Sequence, residues 1–219
     1  RVQRPDAVIC FTTPPFIALV GWLMARLRGG GCKFVYWVMD LYPDLPVACG
    51  VMKPNGLLTQ VCESVNRFCL RRADRTVVLG RCMKDRVLGK GVDARHVVHL
   101  GVWADQGEVK PIARHQNPYR HQWDLGDRFV VMYSGNFGLG HDVDTMCGAA
   151  KRLKDDDSIR FVFVGGGKKK EIVERFVATH KLANCVVAPY QPRESLDASL
   201  SCADVHLASL LEGVEGIMV

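Results

Sequence analysis

The sequence predicts an α/β protein made of two Rossmann-like, doubly wound parallel-sheet domains, and three observations predict it. Short apolar runs bounded by turn residues alternate with stretches of three- and four-residue apolar spacing along most of the chain. The runs are apolar at consecutive positions, as strands covered on both faces are. The alternation fades once, over residues 104–127, where Pro111, Asn117-Pro118 and several charges appear; this stretch reads as a linker between a domain at 1–103 and a second at 128–219.

In the first domain Ala7 to Phe11 reads as a strand, and Thr12-Thr13-Pro14-Pro15 as a loop delivering a helix from about Phe16 to Arg28, stopped by Gly29-Gly30-Gly31. Lys33 to Asp40 is a second strand that closes on an acid, followed by a loop at Leu41-Tyr42-Pro43-Asp44. From Gly56 to Ala73 the residues Leu57, Val61, Val65, Phe68 and Cys69 recur at helical spacing, with Arg67, Arg71 and Arg72 in the last turns, where cations suit the helix dipole. Strands at 75–79 and 96–100 flank a short helix at 81–88. The second domain reads as strands at 129–133, 160–164, 185–188 and 204–207 and helices at 142–154, 169–180 and 193–201.

The chain has 219 residues, 48% of them hydrophobic, enough for one large or two modest cores. It opens without methionine and stops within fold-like sequence, so a fragment at both ends is expected. Nine cysteines show no CxxC and no pairing with histidine, which predicts reduced thiols used for packing and no zinc site. Residues 1–100 hold 15 Lys+Arg against 7 Asp+Glu, and the remainder 14 against 16. The basic half suits a phosphate-bearing acceptor or an anionic membrane surface, and equally a face that only aids solubility. The apolar run from Phe16 to Leu27 is too short to span a bilayer, and no nucleic-acid partner is indicated.

In open parallel sheets ligands gather beyond the carboxyl ends of the strands, which selects four loops. Ser134-Gly135-Asn136-Phe137-Gly138-Leu139-Gly140 joins a strand to a helix, where free N–H groups and the helix dipole favour an anion. Its glycine order differs from the dinucleotide fingerprint. Gly165-Gly166-Gly167-Lys168 could admit a nucleotide near the backbone and hold a phosphate, or be a plain turn before a solvated lysine run. Ala188 to Pro192 places Tyr190 and Gln191 where a base edge could lie, packing being the alternative for Tyr190. Glu212 and Glu215 in a glycine-flanked loop could accept hydrogen bonds from sugar or ribose hydroxyls.

Read together, Ala73-Asp74-Arg75-Thr76-Val77-Val78-Leu79, Tyr133 to Gly138, Phe161 to Gly167, Asn184-Cys185-Val186 and Ala203-Asp204-Val205-His206-Leu207 resemble the retaining glycosyltransferases of family four, which have the two-Rossmann GT-B fold. Asp40-Leu41-Tyr42-Pro43-Asp44 is most similar to the subgroup that builds O-antigen, capsule and colanic-acid-type exopolysaccharides. The resemblance implies a nucleotide-sugar donor, UDP-linked by default, in the C-terminal domain and a saccharide or lipid-linked acceptor in the N-terminal one. It also implies both domains are incomplete, which leaves the activity of this segment alone open. By motif match Gly135, Asn136 and Gly138 would face the diphosphate, Gly167 and Lys168 the nucleotide, and Glu212 or Glu215 the donor sugar or ribose; Ser134, Gly165, Gly166, Tyr190 and Gln191 are further donor-binding candidates. Asp40 would lie near the acceptor or the reaction centre, or merely order its loop.

No cofactor or metal is implied, because backbone amides and Lys168 could offset the leaving diphosphate. The implied place is cytoplasmic, at the inner face of the membrane. Departures remain: the segment after the glycine loop is Leu139-Gly140-His141-Asp142, without the arginine and lysine many members carry, and Met39 stands where many have histidine. Alternatives are a nucleotide-sugar 2-epimerase of the same fold and a non-catalytic nucleotide-sugar-binding component. An NAD enzyme is disfavoured by the glycine order and by the lack of a suitably spaced acid.

Overall fold

The structure, a computed structural model, describes residues 5–27, 31–103 and 109–218. The chain divides into two compact units: Arg1–Trp103 with Glu212–Val219, and Ala104–Leu211.

In the first unit β1 (Ala7–Cys10), β2 (Lys33–Trp37), β3 (Arg75–Val78) and β4 (Val97–His99) form one parallel sheet in that order. The helices are α1 (Ile17–Leu27), α2 (Asp44–Ala48), α3 (Leu57–Arg72) and α4 (Arg81–Gly89). Helix α1 sits so close to the sheet that a Cβ on Gly21 would lie 2.1 Å from the Cys10 sulfur. It meets α3 through an edge contact of Trp22 on Phe68. Arg28 and Gly29-Gly30, expected to end α1, lie outside the described residues.

Two readings of this unit change. Strand β2 stops at Trp37 rather than Asp40, and the expected loop at 41–44 runs into α2, whose five residues are too few to display a helical period. Lys90, 6% exposed, holds α2 in place: its ammonium lies 2.6 Å from Glu63 of α3 and 2.7 Å from Asp44 Oδ2, the latter off hydrogen-bond geometry.

In the second unit the helices are α5 (Pro118–Gln122), α6 (Val143–Arg152), α7 (Lys170–Thr179) and α8 (Leu196–Ser201). The strands β5 (Phe129–Asn136), β6 (Ile159–Gly166), β7 (Cys185–Ala188) and β8 (Val205–His206) form a parallel sheet ordered β7-β6-β5-β8. One core cluster combines Tyr133, Phe161 and Phe163 with Met146 and Val173 of α6 and α7. A second combines Val130, Met132 and Val162 with Tyr119 and Ala198 of α5 and α8. Two separate clusters fed by neighbouring strand positions show a sheet covered on both faces, as the consecutive apolar runs require.

The expected linker at 104–127 is corrected over its described part. Residues 112–125 belong to the second unit, since Tyr119 and Leu125 are core residues. Buried Arg120 binds the carbonyls of Gly126, Cys202 and Arg128, which welds this stretch to the sheet's lower edge. Asn117 caps α5 by accepting the Tyr119 N–H, with Pro118 in the first turn. That Asn-Pro pair was the available signal for a helix start.

The domain limit at 219 is corrected as well, because the chain from Glu212 onward returns to the first unit. Leu41 N–H donates to the Ile217 carbonyl, and Val214 and Ile217 are buried. Gly216, at φ +71, approaches α4 so closely that a Cβ would lie 2.5 Å from the Cys82 carbonyl carbon.

The two Ala-Asp motifs work alike in both units. Asp74 accepts the Phe34 N–H and Asp204 the Val130 N–H, each tying the start of its strand to a neighbouring one. Asp74 is desolvated, but the Phe34 N–H and the Lys33 ammonium outweigh that and hold its carboxyl below the ordinary value. All nine cysteines are free; Cys10, Cys69, Cys147 and Cys202 are buried.

Candidate nucleotide-sugar site

The carboxyl ends of β5 and β6 assemble most of the expected donor residues. β5 runs three residues and β6 two residues past the carboxyl ends their apolar cores predicted, so Ser134, Gly135 and Asn136 are strand residues paired with Val164, Gly165 and Gly166. The glycines answer to contacts inside the protein. A Cβ on Gly165, at φ +139, would lie 1.9 Å from the Gly135 carbonyl oxygen, and one on Gly167, at φ +122, 2.3 Å from Asn136 Oδ1. No side chain fits between the two loops, which are thereby fused into a single surface.

The turn after β5 is held by its own hydrogen bonds. Tyr133 donates its hydroxyl to the Asn136 carbonyl at 2.7 Å and lies 3.3 Å from His141 Nδ1. Burial, and then nearby Tyr190, push the Tyr133 phenol up. A Cβ on Gly138 would press on Asn136 and His141 at 3.3 Å. Asp142 caps α6 by accepting the Thr145 N–H, and the Thr145 side chain and then that N–H lower its carboxyl pKa. The α6 N-terminus, expected to attract an anion, therefore already carries a carboxylate.

The corresponding end of α7 has no side-chain cap. Lys168 is exposed beside it. Lys169 instead reaches back, donating its ammonium to the His141 carbonyl at 2.7 Å and its N–H to Phe137. Sequence reasoning saw both lysines as part of a charged run and could not tell which was committed internally.

Tyr190 completes the surface. Its ring is packed against Gly166, where a Cβ would lie 2.9 Å from Cε2, yet the residue is 58% exposed. Gln191 is engaged within the protein. Its side-chain oxygen accepts the Tyr119 hydroxyl at 2.9 Å and its nitrogen donates to Pro189 at 2.8 Å, so the amide braces the loop. Tyr119 also meets Ser195 at 2.8 Å, a role no local pattern signals.

Asp40, Glu212 and Glu215 lie in the first unit. Asp40 is half-buried just past β2, with its N–H donated to Thr12 Oγ1 at 3.1 Å. Among the described residues no group pairs with its carboxylate, and burial raises its pKa. The neighbouring Tyr42 phenol is raised by burial and by Asp40. The grouping of Glu212 and Glu215 with the second unit's loops is corrected. Both side chains are exposed, and Arg86 of α4 anchors their segment through the carbonyls of Gly213 and Glu215. Among the described residues no three His, Cys, Asp or Glu side chains are grouped to hold a metal ion.

Residues 1–103 match the Glycosyl transferase 4-like domain. Beyond that domain the similarity to glycosyltransferases extends over the whole chain. All 219 residues align at 27% identity with the probable glycosyltransferase WbjE of Pseudomonas aeruginosa, over 54% of its length. Over 211 residues, 94% of the chain, identity is 28% with the putative colanic acid biosynthesis glycosyl transferase WcaI of Escherichia coli K12, over 51% of that protein. The chain thus spans about half the length of the curated relatives it matches. The crystal structure of Anabaena HepE in complex with UDP superposes with TM-score 0.72 at 11% identity, covering 92% of this chain and 52% of HepE. The two parallel four-stranded sheets are those of the GT-B glycosyltransferase fold.

Proposed function

We propose that the protein is a glycosyltransferase of cell-surface polysaccharide assembly that takes its sugar from a nucleotide sugar held on the second unit. The observation that carries this reading is the Tyr190 ring, exposed on Gly166 beside the uncapped, lysine-flanked start of α7. A flat aromatic face offers stacking to a base, and the positive end of the α7 dipole with Lys168 offers charge complementarity to a diphosphate. HepE in complex with UDP supports uridine as the base of the donor.

In this reading the same groups that bind the diphosphate stabilise it as it leaves, without a metal, and the anomeric configuration is retained. Asp40, unpaired and with its pKa raised, receives the acceptor hydroxyl's hydrogen bond, a saccharide or lipid-linked saccharide being the acceptor. Glu212 and Glu215 are given no role. Among the described residues no helix is long and apolar enough to cross a membrane. The proposed place is the cytoplasmic face of the membrane, where a lipid-linked acceptor would be met.

The test is a panel of nucleotide sugars assayed for nucleoside-diphosphate release with and without a lipid-linked saccharide. Release that requires the acceptor supports a transferase. Release of nucleotide and epimerised sugar without acceptor would assign a 2-epimerase, and binding without turnover a carrier component.

A further inference from the structure

A buried relay under the turn after β5 ends in a ring nitrogen with nothing to bind. Tyr133, 5% exposed, donates its single hydroxyl proton to the Asn136 carbonyl at 2.7 Å, and a carbonyl can only accept. The same hydroxyl oxygen lies 3.3 Å from His141 Nδ1, so the imidazole is the donor there and Nδ1 carries a hydrogen. Any further proton on the ring goes to Nε2, which has no hydrogen-bond partner among the described residues.

The backbone fixes where that nitrogen sits. His141 donates its N–H to the Gly138 carbonyl, accepts the Lys169 ammonium at 2.7 Å and forms an antiparallel bridge with Leu210 of the loop after β8. The free edge of the ring lies along the glycine turn, since a Cβ on Gly138 would sit 3.3 Å from Cδ2 and 3.7 Å from Nε2. Asp142 already puts a carboxylate on the α6 N-terminus, and Lys169 is spent on a carbonyl. A diphosphate over Gly135, Asn136 and Gly138 therefore meets a positive side chain from this turn only if His141 supplies it.

The charged or titratable groups about the ring are the Tyr133 phenol on β5, the Asp142 carboxylate on its own turn and the Lys169 ammonium at the start of α7. Across the bridge Ser209, Leu210 and Leu211 carry no charge. Asp142 and Lys169 act on an imidazolium with opposite sign, which leaves an arriving anion to decide the balance. Imidazole is the side chain that ordinarily changes charge between about pH 5 and 8.

We propose that His141 is a ligand of the donor's diphosphate and takes up a proton on Nε2 as the donor binds, with Tyr133 as the positioning residue that holds Nδ1. The proton comes from the solvent and returns to it when the nucleoside diphosphate leaves. This role rests on the nucleotide-sugar reading above.

The experiment uses the full chain with UDP, GDP and ADP as probes, and needs neither acceptor nor turnover. In titration calorimetry at about pH 7.5, in buffers of different ionisation enthalpy, the parent should take up more protons per nucleotide bound than His141→Gln. The nucleotide's own proton exchange cancels in that comparison. His141→Gln should weaken binding about tenfold near pH 6.5 and less than about threefold near pH 8.5. Nitrogen NMR of the parent labelled at histidine reads the ring directly. Of the seven histidines, one should show a hydrogen on Nδ1 before nucleotide is added and on both nitrogens after it. Tyr133→Phe should lose the fixed Nδ1–H form. Should His141→Gln melt early, the parent's NMR decides. Equal proton uptake in parent and variant, a loss of affinity that does not vary with pH, or no imidazole gaining a proton overturns the proposal while the donor reading stands. A parent that binds none of the probes overturns both.

Discussion

Replacing Gly165 by alanine tests whether the donor surface depends on two loops fused by their glycines. The new Cβ would lie 1.9 Å from the Gly135 carbonyl oxygen, a backbone atom fixed by the β5–β6 ladder, and the residue sits at φ +139. The strained backbone costs about 1–3 kcal/mol. Prising the strands apart adds about 1–3 kcal/mol of overpacking. A total near 4 kcal/mol should lower the melting temperature of the second unit by roughly 15–20 °C. It should also abolish UDP binding, because the pairing that sets Asn136 beside Gly167 is lost.

Gly166→Ala is the matched control. Its Cβ meets only the Tyr190 ring, which is exposed and can swing away. Stability should therefore change by less than about 0.5 kcal/mol. UDP affinity should still fall about tenfold through lost stacking. Differential scanning calorimetry and titration calorimetry with UDP read both variants. A Gly165→Ala protein that melts with the parent and binds UDP as well would refute the reasoning, whatever Gly166→Ala does.

Three further outcomes are expected. Lys168→Ala should slow donor turnover about 10- to 100-fold with little change in melting, whereas Lys169→Met should cost about 1 kcal/mol of stability by freeing the His141 carbonyl; equal effects on turnover and melting would reject this division. Asp40→Asn should raise the melting temperature near neutral pH. Burial lifts the folded pKa of Asp40 above its ordinary 3.8, so the ionised form weakens the fold above that raised value and the penalty fades as pH falls towards 3.8. A gain that persists undiminished in acid would contradict this assignment. Lys90→Met should destabilise the first unit by about 2–3 kcal/mol in urea unfolding, since Asp44 and Glu63 would face each other without their cation, partly relieved by their residual exposure; an unaltered midpoint would remove the ion triad from the account.

Much of the proposed donor surface was legible because it is written in consecutive residues. Strands rich in Val and Phe with glycine-rich ends signal parallel β-strands and the loops that follow them, so Ser134 to Gly138 and Gly165 to Lys168 could be named in advance. Their partners could not. That Gly167 makes room for Asn136, that Tyr190 lies on Gly166, and that Lys169 rather than Lys168 is spent on His141 are contacts between segments 24 to 31 residues apart, and local pattern carries no record of them. The Arg120 bracket that turned an expected linker into part of the second core, and the return of Val214 and Ile217 to the first unit, belong to the same class.

The sequence by itself determined the parallel α/β class, the order of the strands along the chain and the loops that lie at their carboxyl ends. Those depend on runs of side-chain hydrophobicity and on turn chemistry, which act over a few residues. Only the tertiary structure decided which unit owns residues 109–127 and 212–218, which glycines answer to backbone approach, and which cation and amide are already engaged. These are settled where distant segments exclude one another's volume and satisfy one another's hydrogen bonds, and such constraints exist only once the chain has folded.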